Sequence, residues 1–206
     1  MVAEITILPL MMWTSGRILT VSFLDGGDDS VIEKVKKLFK EWENYANIKF
    51  EFVDKNGDLR VTFKQGSHWS AIGRDAIARP LNKPTMNLGL DNITEDSEYR
   101  RVTLHEIGHA LGCIHEHQNP IAGIQWNEPE VYRYFQETQG WDRDKTFRNV
   151  IERYDKDTTN YSEYDDNSIM VYRIPARLTL DNRPVGNYVT ELSQTDKDYM
   201  KMWYPN

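Results

Sequence analysis

"HEIGHALGCIHEH", residues 105–117, holds four of the five histidines of this 206-residue chain, and only His68 lies elsewhere. His105 and His109 are four residues apart, so on a helix they project from one face a turn apart and can share a metal ion. Glu106 sits beside them, near enough to take a proton from a metal-bound water without displacing it. His115 comes six residues after His109, and an unbroken helix would carry it to the far side of the axis. Gly112 resolves this, because glycine adopts the left-handed conformation that ends a helix and reverses the chain. The helix is therefore expected to stop at about Leu111, with His115 folded back toward the first two ligands. Three neutral imidazoles leave room for water, the layout of a catalytic zinc rather than a closed structural one. One Zn2+ per chain is expected, with Glu106 as general base. A rival geometry would draw its third ligand from Glu128 or Glu130, leaving Gly112 and His115 without a role.

Composition narrows the partners. Hydrophobic residues make up 39% and aromatics 12%, enough bulk to bury one substantial core. The net charge of −7 disfavours nucleic acid or an anionic membrane, which demand clustered Lys and Arg. Cys113 is the single cysteine, so no internal disulfide can form. The opening "MVAEITILPLMMW" (1–13) lacks the basic leader and cleavage site of a signal peptide. No apolar stretch approaches the roughly 20 residues that span a bilayer. A soluble monomer is expected.

Along the chain, "RILTVSFL" (17–24) alternates as a half-buried strand and ends in the turn signal Asp25-Gly26-Gly27. From Asp29 to about Tyr45, Val31, Ile32, Val35, Leu38, Phe39 and Trp42 recur at helical spacing. "IKFEFV" (48–53) and "LRVTF" (59–63) read as strands separated by the turn "DKNGD" (54–58). "TMNLGL" (85–90) reads as a further strand whose polar and glycine content suits an open sheet edge. The histidine window closes a helix over 97–112. Further helices are expected over 128–138, 143–154 and 193–204, the last capped by Ser193 with Asp196.

"HEIGHALGCIHE" resembles the zinc signature of the metzincin metalloproteases, and Glu116 after the third histidine is the mark of the astacin family within them. "SIMVY" (168–172) resembles the Met-turn of the same family. Trp13, "WSAIG" (69–73), "TMNLGL" and "LSQTDKDYMKMWYP" (192–205) extend the likeness over nearly the whole chain. Val171 stands where the family usually has His, and Cys113 where many members have Phe.

The resemblance implies an α+β fold of the metzincin two-lobe type, taken as one domain over 1–206. A mixed twisted sheet with helices forms the N-terminal lobe (1–112, including the active-site helix). A mostly irregular and helical lobe (113–206) carries the Met-turn. It implies a secreted zinc-dependent endopeptidase acting on protein or peptide substrates in the cleft between the lobes. Met170 would form an apolar floor under the histidines, and Tyr172 would ligate zinc at rest and then hydrogen-bond the oxyanion. Glu116 would match the glutamate that relatives tie to their mature N-terminus. A peptide strand could add to an open edge at Thr85, Met86, Asn87, Leu88, Gly89 and Leu90. Arg173, Arg177 and Arg183 would favour an acidic residue after the cut. Two other classes share these parts: a zinc-bearing binding module, which would have no use for Glu106, and an amidase acting on a cell-wall peptide.

Overall fold

In a computed structural model describing residues 9–25, 27–90, 93, 95–155, 157 and 163–206, the central strand β1 (Ile18–Asp25) buries Leu19 and Val21 completely. It pairs in parallel with β2 (Lys49–Phe52) on one side and β3 (Leu59–Thr62) on the other. The turn expected at 54–58 is therefore a crossing over β1 rather than a link between neighbouring strands. Gly57 makes the crossing possible, since a Cβ there would meet Ser22 N at 2.7 Å and Thr20 O at 2.9 Å. Asp58 then accepts the backbone N–H and the hydroxyl of Thr20 at 3.0 and 3.1 Å. Met1 and Gly26 lie outside the described residues.

Helix α1 (Asp29–Trp42) starts at Asp28, whose carboxylate accepts the Val31 N–H. It packs Val35, Leu38, Phe39 and Trp42 into the core and ends three residues before the expected Tyr45. There Glu43 turns aside to accept the Phe50 N–H at 2.7 Å.

The sheet order is β2-β1-β3-β5-β4, where β4 is Trp69–Ser70 and β5 is Met86–Asn87. This corrects the expectation of an open edge at 85–90. Strand β5 lies parallel to β3 and is covered by antiparallel β4, with Trp69 opposite Asn87 and Ser70 opposite Met86. Thr85, Met86, Asn87, Leu88, Gly89 and Leu90 are all buried, and among the described residues the edge on this side of the sheet belongs to β4. Two-residue strands are too short to leave a periodic signal, which is why β4 and the four-residue helix α2 (Asp75–Ala78) were not read from the chain.

Helix α3 (Asp96–Ala110) packs against α1. After Gly112 regular structure thins to α4 (Glu128–Gln139), a short α5 (Arg143–Thr146) that widens into a π turn over Phe147–Ile151, and α6 (Gln194–Trp203). The π turn closes the helix expected over 143–154 early. Two apolar clusters result. The larger joins the sheet, α1 and α3 to Met170, Tyr199, Met200 and Tyr204; the smaller gathers Val131, Phe135, Val150, Ile174, Leu178 and Val185. No helix among the described residues is long and apolar enough to cross a membrane. The fold is α+β.

Candidate metal centre and active-site cleft

The turn after α3 follows from Gly112, which sits at φ +104°. Its N–H donates to His109 O at 2.9 Å and the Cys113 N–H to Gly108 O at 3.0 Å, the paired bonds of a glycine-terminated helix. Two carbonyls left over at this helix end are capped by the chain termini. Trp13 Nε1 donates to Ala110 O at 2.8 Å, and the Tyr204 hydroxyl to Leu111 O at 2.5 Å. Gly73 N–H reaches His109 O at 2.8 Å, and a side chain at Gly73 would collide with Met11 O and crowd Gly112. These contacts give the "WSAIG" stretch and the terminal aromatics one shared task, holding the end of α3.

The turn brings His105, His109 and His115 together, with their ligand nitrogens all within 4.8 Å of one another. His105 Nδ1 meets Ile169 O at 2.8 Å, His109 Nδ1 meets Cys113 O at 2.8 Å, and His115 Nδ1 meets Gln118 Oε1 at 3.3 Å. Gln118 spends its amide hydrogens on Arg148 O and Glu152 O at 2.7 and 3.1 Å, so its oxygen can only accept. Each imidazole thus donates from Nδ1 and presents the Nε2 lone pair to the centre. Burial holds the His105 and His115 protonation equilibria well below the ordinary value and that of His109 at about 4, and neighbouring histidines push His105 and His115 further the same way. Neutral imidazoles with converging lone pairs, two of them 3.1 Å apart between His109 Nε2 and His115 Nε2, are a donor set that a shared cation relieves. The residues fit zinc.

Glu106 lies against this centre, its Oε2 buried without a hydrogen-bond partner among the described residues. Burial pushes its carboxyl up to about 8, against the opposing pull of Arg101. The Tyr172 ring lies against both His115, tilted at 4.1 Å, and His117, stacked at 5.0 Å. Burial and then Glu106 raise its phenol above the ordinary tyrosine value, so the hydroxyl keeps its proton and can donate. Met170 lies under α3: a Cβ on Gly108 would strike its sulfur. Glu116 is fully buried, accepting from Asn119 Nδ2 at 3.2 Å and Asp165 N at 3.3 Å. Cys113 is a buried thiol whose backbone carbonyl, not its sulfur, serves the site.

Asp196, read from the chain as a helix cap, also binds Ser168 Oγ at 2.8 Å and Ile169 N at 2.9 Å. It therefore fixes Ile169, the residue whose carbonyl orients His105. Arg101, one turn before His105, shares that helix face, a spacing the sequence does display. Gln118 and the uncovered edge of β4 have no comparable signal. Arg173, Arg177 and Arg183 lie over Tyr188, over Tyr134 and beside Asp181.

A signature helix under a mixed sheet, a turn returning a third histidine and a methionine floor define a metzincin-type zinc metalloendopeptidase. The family model described as Astacin (Peptidase family M12A) matches residues 7–204, and the chain belongs to this family. Among solved structures, one of myroilysin is similar at 40% identity and TM-score 0.92, covering 98% of each chain. A crystal structure of myroilysin is similar at 40% identity and TM-score 0.73, covering 95% of this chain and 86% of that one. High choriolytic enzyme 1, a hatching enzyme zinc-protease from Oryzias latipes (medaka fish), shares the fold at 15% identity and TM-score 0.66, over 95% of this chain and 94% of that one.

Proposed function

We propose that this zinc-dependent peptidase cleaves internal peptide bonds with Glu106 as general base and Tyr172 as oxyanion donor, using one zinc ion held by His105, His109 and His115. The observation that carries the reading is the convergence of three imidazole lone pairs, each oriented through its Nδ1, beside the buried Glu106 carboxyl group. At rest Tyr172 would be a further ligand beside the three histidines. When bound, zinc supplies the Lewis acidity that makes water nucleophilic near neutral pH and polarises the scissile carbonyl.

The remaining work falls to the chain. An extended peptide pairs antiparallel with the free edge of β4, which fixes its carbonyl over the site. Glu106 takes the proton of the attacking water and hands it to the departing amine nitrogen. The Tyr172 hydroxyl donates to the oxygen that gains charge as the carbonyl becomes tetrahedral. In this reading residues 1–206 act as one secreted, monomeric peptidase domain divided at Gly112, with neither nucleic acid nor membrane as partner.

Glu106→Gln tests the assignment. The variant should hold one zinc per chain by elemental analysis, while kcat on a peptide with blocked ends falls about 10²–10⁴-fold, the usual range for losing a general base. Loss of the metal from a folded variant, or wild-type kcat, would remove Glu106 from the role. Mass spectrometry of the fragments should show cuts at internal bonds.

A further inference from the structure

The cleft has two unequal halves. Toward the start of α3 a chamber of about 110 Å³ is lined by His68, Arg101, Val102, His105, Glu106 and Tyr172. Its one arginine is already engaged: Arg101 holds Glu98 through Nε and Nη2 at 2.8 and 2.5 Å. Toward the third ligand lies a hollow of about 350 Å³ whose walls include Ile72, His115, Trp141, Lys145, Arg148 and Tyr154. Here the cations are unspent. Among the described residues neither Lys145 nor Arg148 has a carboxylate partner, and Glu106 is the only acid in the lining. Lys145 Nζ rests over the Trp141 ring at 4.8 Å. The backbone carbonyl of Arg148 is held by the same Gln118 amide that orients His115, so the basic wall keeps a set position relative to the metal centre.

The direction of β4 decides which part of a substrate meets this wall. From Trp69 the chain runs on to Ile72 and Gly73, which touches the end of α3 at His109. A peptide antiparallel to β4 therefore places the residues before its scissile bond over the large hollow and those after it over the small chamber. We infer that Lys145 and Arg148 form a subsite selecting acidic side chains on the amino-terminal side of the cut. This rests on the endopeptidase reading above. A concave, partly apolar wall concentrates the field of two unpaired cations even in a chain of net charge −7.

The test compares peptides sharing one scissile bond and carrying Glu, Gln or Lys at each of the three preceding positions. Glu should raise kcat/KM over Gln by about fivefold, chiefly through KM, as two solvent-reaching ion pairs allow. The gain should shrink in 0.5 M salt as charges are screened. It should vanish in Lys145→Ala/Arg148→Ala and reverse toward Lys in Lys145→Glu/Arg148→Glu. Fluorescence anisotropy of the labelled Glu and Gln peptides on the zinc-loaded Glu106→Gln variant reads the subsite without turnover. Acid-dependent binding to the variant with no hydrolysis by the zinc-loaded wild type would support the subsite and overturn the endopeptidase reading. Hydrolysis with no acid preference before the cut, or with the preference after it, would overturn the subsite and leave that reading standing.

Discussion

The sheet region before Gly112 and the stretch from 113 to 193 are held by different means. In the first, strand and helix ladders satisfy most backbone groups, with Asp58, Glu43 and Arg60 serving the turns between them, and apolar contacts are spread around Leu19, Phe39, Trp42 and Ile48. In the second, single polar side chains satisfy backbone far away in sequence. Asp196 binds Ile169, Gln118 binds Arg148 and Glu152, Glu116 binds Asp165, and the Gly186 N–H bonds Asp166 Oδ1 at 2.9 Å. Irregular backbone that is buried must find partners group by group. Geometry at the metal centre therefore hangs chiefly on a few residues below α3, with Trp13 and Gly73 holding the end of that helix from the sheet region.

The largest expected effect is that of Asp196→Ala, which strands the buried Ile169 N–H and Ser168 hydroxyl and the half-buried Ser193 N–H. At about 1–3 kcal/mol per orphaned group, the variant should lose about 3–5 kcal/mol in urea unfolding; a loss below about 1 kcal/mol would erase the contrast. The same carboxyl is raised from 3.8 to about 6, with burial outweighing its hydrogen bonds. Between those values the folded protein keeps a proton that the unfolded chain releases, so this group's contribution falls as pH rises from about 4 to 6 and is level above. Relative to Asp196→Asn, which cannot ionise, the wild type should lose up to about 3 kcal/mol across that window, at about 1.4 kcal/mol per pKa unit.

Next in size, Tyr172→Phe should lower kcat by roughly tens to a hundredfold with little change in KM or zinc content, because its hydrogen bond forms in the transition state. Wild-type kcat would leave the ring with packing alone. Gln118→Ala frees His115 from its orienting acceptor and should weaken zinc binding about tenfold or more, read by competition with a chelator. On the other side of α3, Ile48→Val removes one buried methylene and should cost only about 1 kcal/mol. If it cost as much as Asp196→Ala, the apolar region would be no more tolerant than the polar one.

Legibility follows the same division. Helix α1, strands β1 to β3, the end of α3 at Gly112 and the Ser193–Asp196 cap were readable because each depends on neighbours within a few residues. The open edge was misplaced at 85–90 because a two-residue strand, β4, covers it, and a pairing that short has no pattern to find. The Asp196 carboxylate was legible as a cap, yet its second task on Ile169, 27 residues away, was not.

Local spacing was enough to bring together the three histidines, the glutamate beside them and the glycine that turns the chain, since 3.6 residues per turn converts sequence offsets directly into shared faces. Tertiary structure alone decided which nitrogen of His105 faces the centre, which strand borders the cleft and where Lys145 and Arg148 stand. Those depend on carbonyls and side chains brought from 30 to 100 residues away, for instance Ile169 O to His105, 64 residues apart, and Tyr204 to Leu111, 93 apart. No periodicity encodes such distances; only the packing of buried groups that must each find a partner selects them.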